Sequence, residues 1–292
     1  KLINQVVLID YTIIILGGKT MRNSKTNELV LTGLFTAIII IMAFTPLGYI
    51  PLVVINATII HIPVILGSLF CGPKKGAFLG FVFGFTSCLK ATIVGGTLSS
   101  FVFSPVLAAS LVGTSGIFKS LFIAFVPRIL VGVIPYFVYI GIKKVLASEK
   151  KNLWGTVLNV LMSVFLAFGV YAFLGKMSES LSQAAALGIG IAVGAVVFIV
   201  VEAVFIRKST QVIPFVYAGV AGAMTNTLLV MGSIFVLYKD AYADAIGVAG
   251  NAVLGVITGV ISFNGVIEAI VAAIIVYLVG LVLNTIKPIA AK

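Results

Sequence analysis

Residues 54–76 read VINATIIHIPVILGSLFCGPKKG, and this stretch decides the fold. It holds the chain's one histidine, His61, with Asn56 five positions earlier, in a run of isoleucine, valine and leucine. The run ends at Gly72-Pro73, two residues that stop a helix, and Lys74-Lys75, two that seek water and headgroups. Another apolar stretch begins at once at Gly76. The pattern predicts two short apolar helices joined by a tight basic turn, with polar groups left among apolar neighbours at the far end of the first.

The same alternation runs the length of the chain. Hydrophobic residues make up 61% of it and charged residues 9%, too apolar for a water-soluble domain and typical of a polytopic membrane protein. Backbone groups in a bilayer must be satisfied internally, and without barrel-like alternation the solution is a helix bundle. Cys71 and Cys88 have no metal-ligand or disulfide spacing and read as small buried hydrophobes.

Eight helices are predicted, at about 29–44, 56–70, 76–89, 120–142, 153–174, 184–206, 212–238 and 262–285. Residues 91–119, rich in Gly, Ser and Thr, read as a long folded loop. Residues 245–261 read as an apolar half-span within an outer loop at about 239–261. Under this count Arg22, Lys25, Lys74, Lys75, Lys143, Lys144, Lys150, Lys151, Arg207, Lys208, Lys287 and Lys292 fall on one side. Lys90, Lys119, Lys176 and Lys239 fall on the other. The positive-inside rule then places both termini in the cytoplasm. It also accounts for the net charge of +11 without nucleic acid.

Ahead of Met21, the sequence Leu16-Gly17-Gly18-Lys19-Thr20 suggests a phosphate loop, but Ile13 stands where that motif needs its first glycine. The codons TTA-GGA-GGT-AAA can encode Leu-Gly-Gly-Lys and contain a strong bacterial ribosome-binding sequence just before the methionine codon. Residues 1–20 are therefore expected to be translated leader. The rest divides into 21–149, helices one to four; 150–209, an inserted two-helix segment; and 210–292, the last two core helices.

Polar residues inside such a bundle need a partner or a purpose. Asn56 is expected to cap the second helix and show its amide to the outer mouth. His61 either bonds a neighbouring helix or faces a ligand. Thr225-Asn226-Thr227 sits mid-helix among small residues, where Asn226 either binds a polar solute or bonds another helix. Arg128, after Pro127, needs a carboxylate, a water cavity or a snorkelling route; Glu268 is one partner and an anionic substrate another. Asn264 either caps the last helix or lines the mouth. Glu202, near a helix end, reads as structural. Gly33 and Ala37 form a small-xxx-small pair that allows close helix approach, within the bundle or to a partner subunit. The chain carries no ATPase motif and no metal-ligand cluster, and no cofactor is expected.

The segments IPLVVINATIIHIPVILGSLFCGPKKGAFLGFVFGFTS (50–87), GAMTNTLLVMG (222–232) and NGVIEAIVAAIIV (264–276) resemble the substrate-binding S components of energy-coupling factor (ECF) transporters, most closely the pantothenate-specific type. The resemblance covers about 26–147 and 210–285. It implies a six-helix vitamin-binding core in the bacterial cytoplasmic membrane, here with two additional helices. It also implies a transmembrane coupling protein and two cytoplasmic ATPases as partners, with Gly33 and Ala37 on the docking face. Asn56, His61 and Asn226 match polar positions of the pantothenate-type pattern; Arg128 answering the vitamin's carboxylate is an extrapolation. The alternatives are an S component for another small vitamin or precursor, and a self-contained ion-coupled secondary transporter.

Overall fold

The computed structural model describes residues 24–51, 56–95, 97, 99–177, 181–207, 212–286 and 289, and shows a helical bundle with one small hairpin. The leader expectation for 1–20 lies outside the described residues. Helix α1 (Ser24–Phe44) leads through a 3-10 turn into strands β1 (Tyr49–Pro51) and β2 (Asn56–Thr58), an antiparallel pair in the register Tyr49 to Thr58. Then come α2 (His61–Cys71), α3 (Pro73–Ile93), a 3-10 turn at Ser100–Val102, α4 (Pro105–Val112), α5 (Thr114–Val131) and α6 (Ile134–Leu146). Next come α7 (Lys151–Met177) and α8 (Gln183–Arg207), the pair expected from the sequence as an insertion. The chain closes with α9 (Val212–Ile246), α10 (Val253–Val260), a π-turn at Ile261–Gly265 and α11 (Val266–Ile286).

Among the described residues, seven helical stretches are long and apolar enough to cross a membrane: α1, α3, α5 with α6, α7, α8, α9, and α10 with α11. Helix α2 has 11 residues and is correspondingly about 16 Å long, roughly half a hydrocarbon core. It is buried at every position from His61 to Phe70. That explains its sequence: a helix apolar all round is one surrounded by protein. The predicted start at Asn56 is corrected here. Asn56 pairs with Pro51 in the hairpin, and the residue that caps α2 is Ile60, with no side-chain cap. The Gly72 turn is as expected, with φ of 87°, a conformation that favours glycine.

Helices α1 and α3 run parallel. Lys75 pairs with Glu28 at 2.7 Å at one end, and Lys90 donates to the Ala43 carbonyl at 3.0 Å at the other. Helix α2 therefore carries the chain back between them. Gly76, Gly80 and Gly84, spaced four apart on α3, meet the backbone of Gly132, Arg128 and Ala124 on α5. A Cβ at any of the three would run into a carbonyl oxygen of α5. This small-residue seam lets the two backbones touch, the expected device where apolar surface alone gives no drive to associate.

Three expectations needed adjusting. The stretch expected as a folded loop at 91–119 is largely helical among its described residues, and Ser104 caps α4 by accepting from the Leu107 amide and pairs with Thr92 at 2.8 Å. Phe101, Val102 and Ala108 pack with Ile123, Val230, Ile234 and Tyr238 into a second core beside the main one. The helix predicted to stop at 238 only kinks there, at Tyr238, and continues to Ile246. The span at 120–142 is two helices, broken at Gly132.

Helices α7 and α8 pair closely with each other. Glu202 on α8 accepts from Thr156 at 2.6 Å and from Asn159 at 2.8 Å on α7. Its structural reading fits that position. Helix α7 leans on the core through Gly169 against Val266 and through stacked rings of Phe173 and Phe263, centroids 4.9 Å apart.

Candidate functional site

Two sets of contacts fix the register of α2 against α9. Gly222 on α9 packs directly on the Ile65 side chain of α2. Further along, Thr58 and Thr227 converge on one carboxylate, that of Glu268 on α11. Going back from Ile65 to Thr58 thus corresponds to going forward from Gly222 to Thr227. The helices are antiparallel, and these contacts bracket His61 on one and Asn226 on the other. Asn264 joins them from the π-turn, where the next residue, Gly265, lies against the Thr227 side chain.

All three side chains are buried. His61 is fully enclosed, and neither ring nitrogen has a hydrogen-bond partner among the described residues. The Oδ1 atoms of Asn226 and Asn264 are buried and equally without partners there. An unmet buried polar group costs about 1–3 kcal/mol, which makes these atoms the ones to examine for a partner beyond the described residues. The π-turn contributes too. An extra residue in a helical turn re-aims the side chains around it, and such turns gather at functional sites. Asn264 is therefore not a helix cap, since the helix runs through it.

The remaining sequence candidates distribute as follows. Thr225 spends its hydroxyl on the Ala221 carbonyl of its own helix, at 2.6 Å. Its neighbour Thr227 makes the tertiary contact instead, donating to Glu268 at 2.9 Å. The other Glu268 oxygen accepts from the Thr58 amide at 2.8 Å. Arg128 is buried with its guanidinium between the rings of Phe83 and Phe103, 5.5 and 4.6 Å from their centroids. It donates to the Ile123 carbonyl at 2.7 Å and interacts with Glu268 through its charge. Asn56 is placed by its backbone in β2; its side chain lies outside the described residues. Gly33 and Ala37 are exposed on α1, away from this cluster, and nothing lies within 4 Å of a Cβ added at Gly33.

A groove of about 340 Å³ opens elsewhere, between α7 and α8, lined by Val160, Val164, Ala167, Ile191 and Phe198 among others. Ser163 is its one polar lining residue, too few for recognition of a polar solute.

The sequence reading placed Glu268 only as a partner for Arg128 and missed its hydrogen bonds to Thr58 and Thr227. A signal was available: a glutamate four residues after an asparagine, inside an apolar run, is costly unless held by several donors.

A multi-span helical bundle whose buried polar residues converge from three segments belongs to the membrane proteins that bind small solutes. The comparisons make this specific. The family model of the ECF transporter substrate-specific component matches residues 27–206, and the chain belongs to that family. It is thus a multi-pass membrane protein and the substrate-binding subunit of a transporter, not an enzyme. Among curated relatives, it is 42% identical over 161 residues to the pantothenic acid transporter PanT of Lactococcus lactis subsp. cremoris, covering 51% of this chain and 78% of that protein. It is 27% identical over 277 residues to the pantothenate transporter PanT of Leuconostoc mesenteroides subsp. mesenteroides, covering 93% of this chain and 98% of that protein. The family match runs through α7 and nearly all of α8, so the added pair lies inside it.

Proposed function

We propose that this subunit captures pantothenate at the outer face of the bacterial cytoplasmic membrane for an ATP-driven uptake system. The observation that carries the reading is that His61, Asn226 and Asn264 are buried with polar atoms lacking partners among the described residues, on segments joined by the Thr58–Glu268 and Thr227–Glu268 hydrogen bonds. Pantothenate offers one carboxylate, one amide and two hydroxyls. Imidazole and carboxamide side chains both donate and accept, so they suit its amide and hydroxyls. Arg128 is the cation available to its carboxylate, with Asn56 and Thr225 as further contacts at the rim. Both matched relatives carry pantothenate in their names.

The topology follows from the charges. The Lys75–Glu28 pair supports a reading in which the Gly-Pro-Lys-Lys turn lies on the side where α1 begins and α2 counts as a passage despite its length. Eight passages then leave both termini in the cytoplasm, with the basic turns. ATP hydrolysis belongs to two separate cytoplasmic ATPases, reached through a transmembrane coupling protein. The exposed strip of Leu29, Val30, Gly33, Leu34 and Ala37 on α1 suits docking of that protein: it is apolar, and its small residues admit a second helix.

Calorimetric titration of pantothenate into the purified chain in nanodiscs, without ATP, tests the reading. Saturable submicromolar binding is expected. A folded sample that gives no heat removes pantothenate as the substrate.

A further inference from the structure

Glu268 is a buried carboxylate in an apolar bundle, and its hydrogen bonds follow a pattern. One oxygen accepts from the Thr58 amide at 2.8 Å and the other from the Thr227 hydroxyl at 2.9 Å. Each partner lies beside a candidate site residue. Thr58 ends β2, three residues before His61, and Thr227 follows Asn226 directly. Glu268 itself stands four residues after Asn264 and the π-turn. One side chain therefore joins the three chain segments that carry the three unmet polar groups.

We infer that Glu268 is the positioning residue of the solute site: its carboxylate ties the β2 hairpin, α9 and the start of α11 together, and so sets the spacing of His61, Asn226 and Asn264. The inference rests on the solute-binding reading given above. The chemistry favours a carboxylate for the task. Two acceptor oxygens diverge from one carbon and can reach a backbone amide and a hydroxyl from different elements at once. Burial makes the tie demanding. If either donor were withdrawn, a carboxyl oxygen would be left unmet inside the bundle, so the hairpin and α9 stay clamped together. The Thr58 donor is a backbone group in a two-stranded hairpin, an element that is marginal by itself and needs such an anchor.

The test uses the full chain in nanodiscs, with pantothenate as probe and two substitutions. Glu268→Gln keeps the tie, since its amide oxygen can accept from Thr58 and its nitrogen can donate to the Thr227 hydroxyl. Glu268→Ala removes it. The expected result is pantothenate dissociation about tenfold or more faster in Glu268→Ala and within a few-fold of wild type in Glu268→Gln. In the protein without solute, hydrogen exchange at Thr58 should rise by a similar factor in Glu268→Ala alone. If Glu268→Ala fails to fold, Thr227→Val cuts one leg of the tie, and an intermediate loss is expected. Wild-type dissociation in Glu268→Ala or in Thr227→Val overturns the inference, as does an equal loss in Glu268→Gln and Glu268→Ala, which would assign the effect to charge. A wild-type chain that does not bind pantothenate removes the substrate reading instead. The tie is then judged on Thr58 exchange, and unchanged exchange in Glu268→Ala overturns it.

Discussion

The guanidinium of Arg128 donates to the carbonyl of Ile123 at 2.7 Å, and Ile123 is the residue whose helical donor would have come from Pro127. Proline has no amide hydrogen, so the carbonyl four residues before it loses its bond. In water that loss is repaired by solvent; inside a bundle it is not. Arg128, the next residue, repairs it with its own side chain. The pair Pro127-Arg128 thus works as a unit, which gives the arginine a structural duty beyond any contact with a solute anion.

That relationship predicts a coupling. Arg128→Met should destabilise the protein by about 1–3 kcal/mol, because a buried carbonyl is left unmet. Adding Pro127→Ala returns an amide donor to Ile123 and should recover part of the loss, although Pro127→Ala alone gains little. Unfolding of the four proteins in a double-mutant cycle measures this, and strictly additive effects would contradict it.

The α3–α5 seam makes a second prediction. Gly80 lies against the backbone of Arg128, so Gly80→Ala forces the helices apart at the middle of the seam. A cost of about 1–3 kcal/mol is expected, with loss of folded yield. Gly72→Ala tests a different property, because nothing lies within 4 Å of its added Cβ while its φ is 87°. Its penalty is backbone strain of about 1 kcal/mol, confined to the turn. Thermal melts of the purified variants separate the two, and a Gly80→Ala protein as stable as wild type would refute the seam.

These elements show which features the sequence exposes. Long apolar runs fixed the membrane class and most span positions, because hydrophobic length is a strong signal. The Gly-Pro-Lys-Lys turn was legible from its residues alone. The hairpin was not, since Asn56-Ala57-Thr58 is too short for a strand pattern, and its pairing depends on residues across the turn. Tyr238 shows only a kink where the helix was expected to end. His61, Asn226 and Asn264 stood out individually as polar residues in apolar runs, but their meeting depends on the antiparallel register of α2 and α9. The small-residue pair noticed on α1 is exposed, whereas the seam that packs the core is Gly76-Gly80-Gly84. Spacing alone cannot say which small face meets a neighbour.

Asn226→Leu is nearly the same size and removes both polar functions. The side chain is 8% exposed and its Oδ1 has no partner among the described residues, so folding should suffer little. Pantothenate affinity should fall by about tenfold to a hundredfold, because a ligand group loses its bond inside a dry site. Calorimetry on membrane-inserted protein reads this directly, and unchanged affinity would remove Asn226 from the site. Thr225→Val, whose hydroxyl is committed to Ala221, should cost far less.

Gly33→Leu separates capture from assembly. Nothing lies within 4 Å of a Cβ at Gly33, so the isolated subunit should accept the larger side chain with its stability and pantothenate affinity intact. A coupling protein that packs a helix against the strip around Gly33 and Ala37 would meet a bulky side chain where its backbone should approach. Co-purification of the variant with the coupling protein and ATPases is therefore expected to drop sharply, and uptake by vesicles to drop with it. If the variant assembles and transports like wild type, docking uses another face, and the exposed surface of α8 is the next to test. If solute binding fails as well, α1 carries an inward role that its exposure does not suggest.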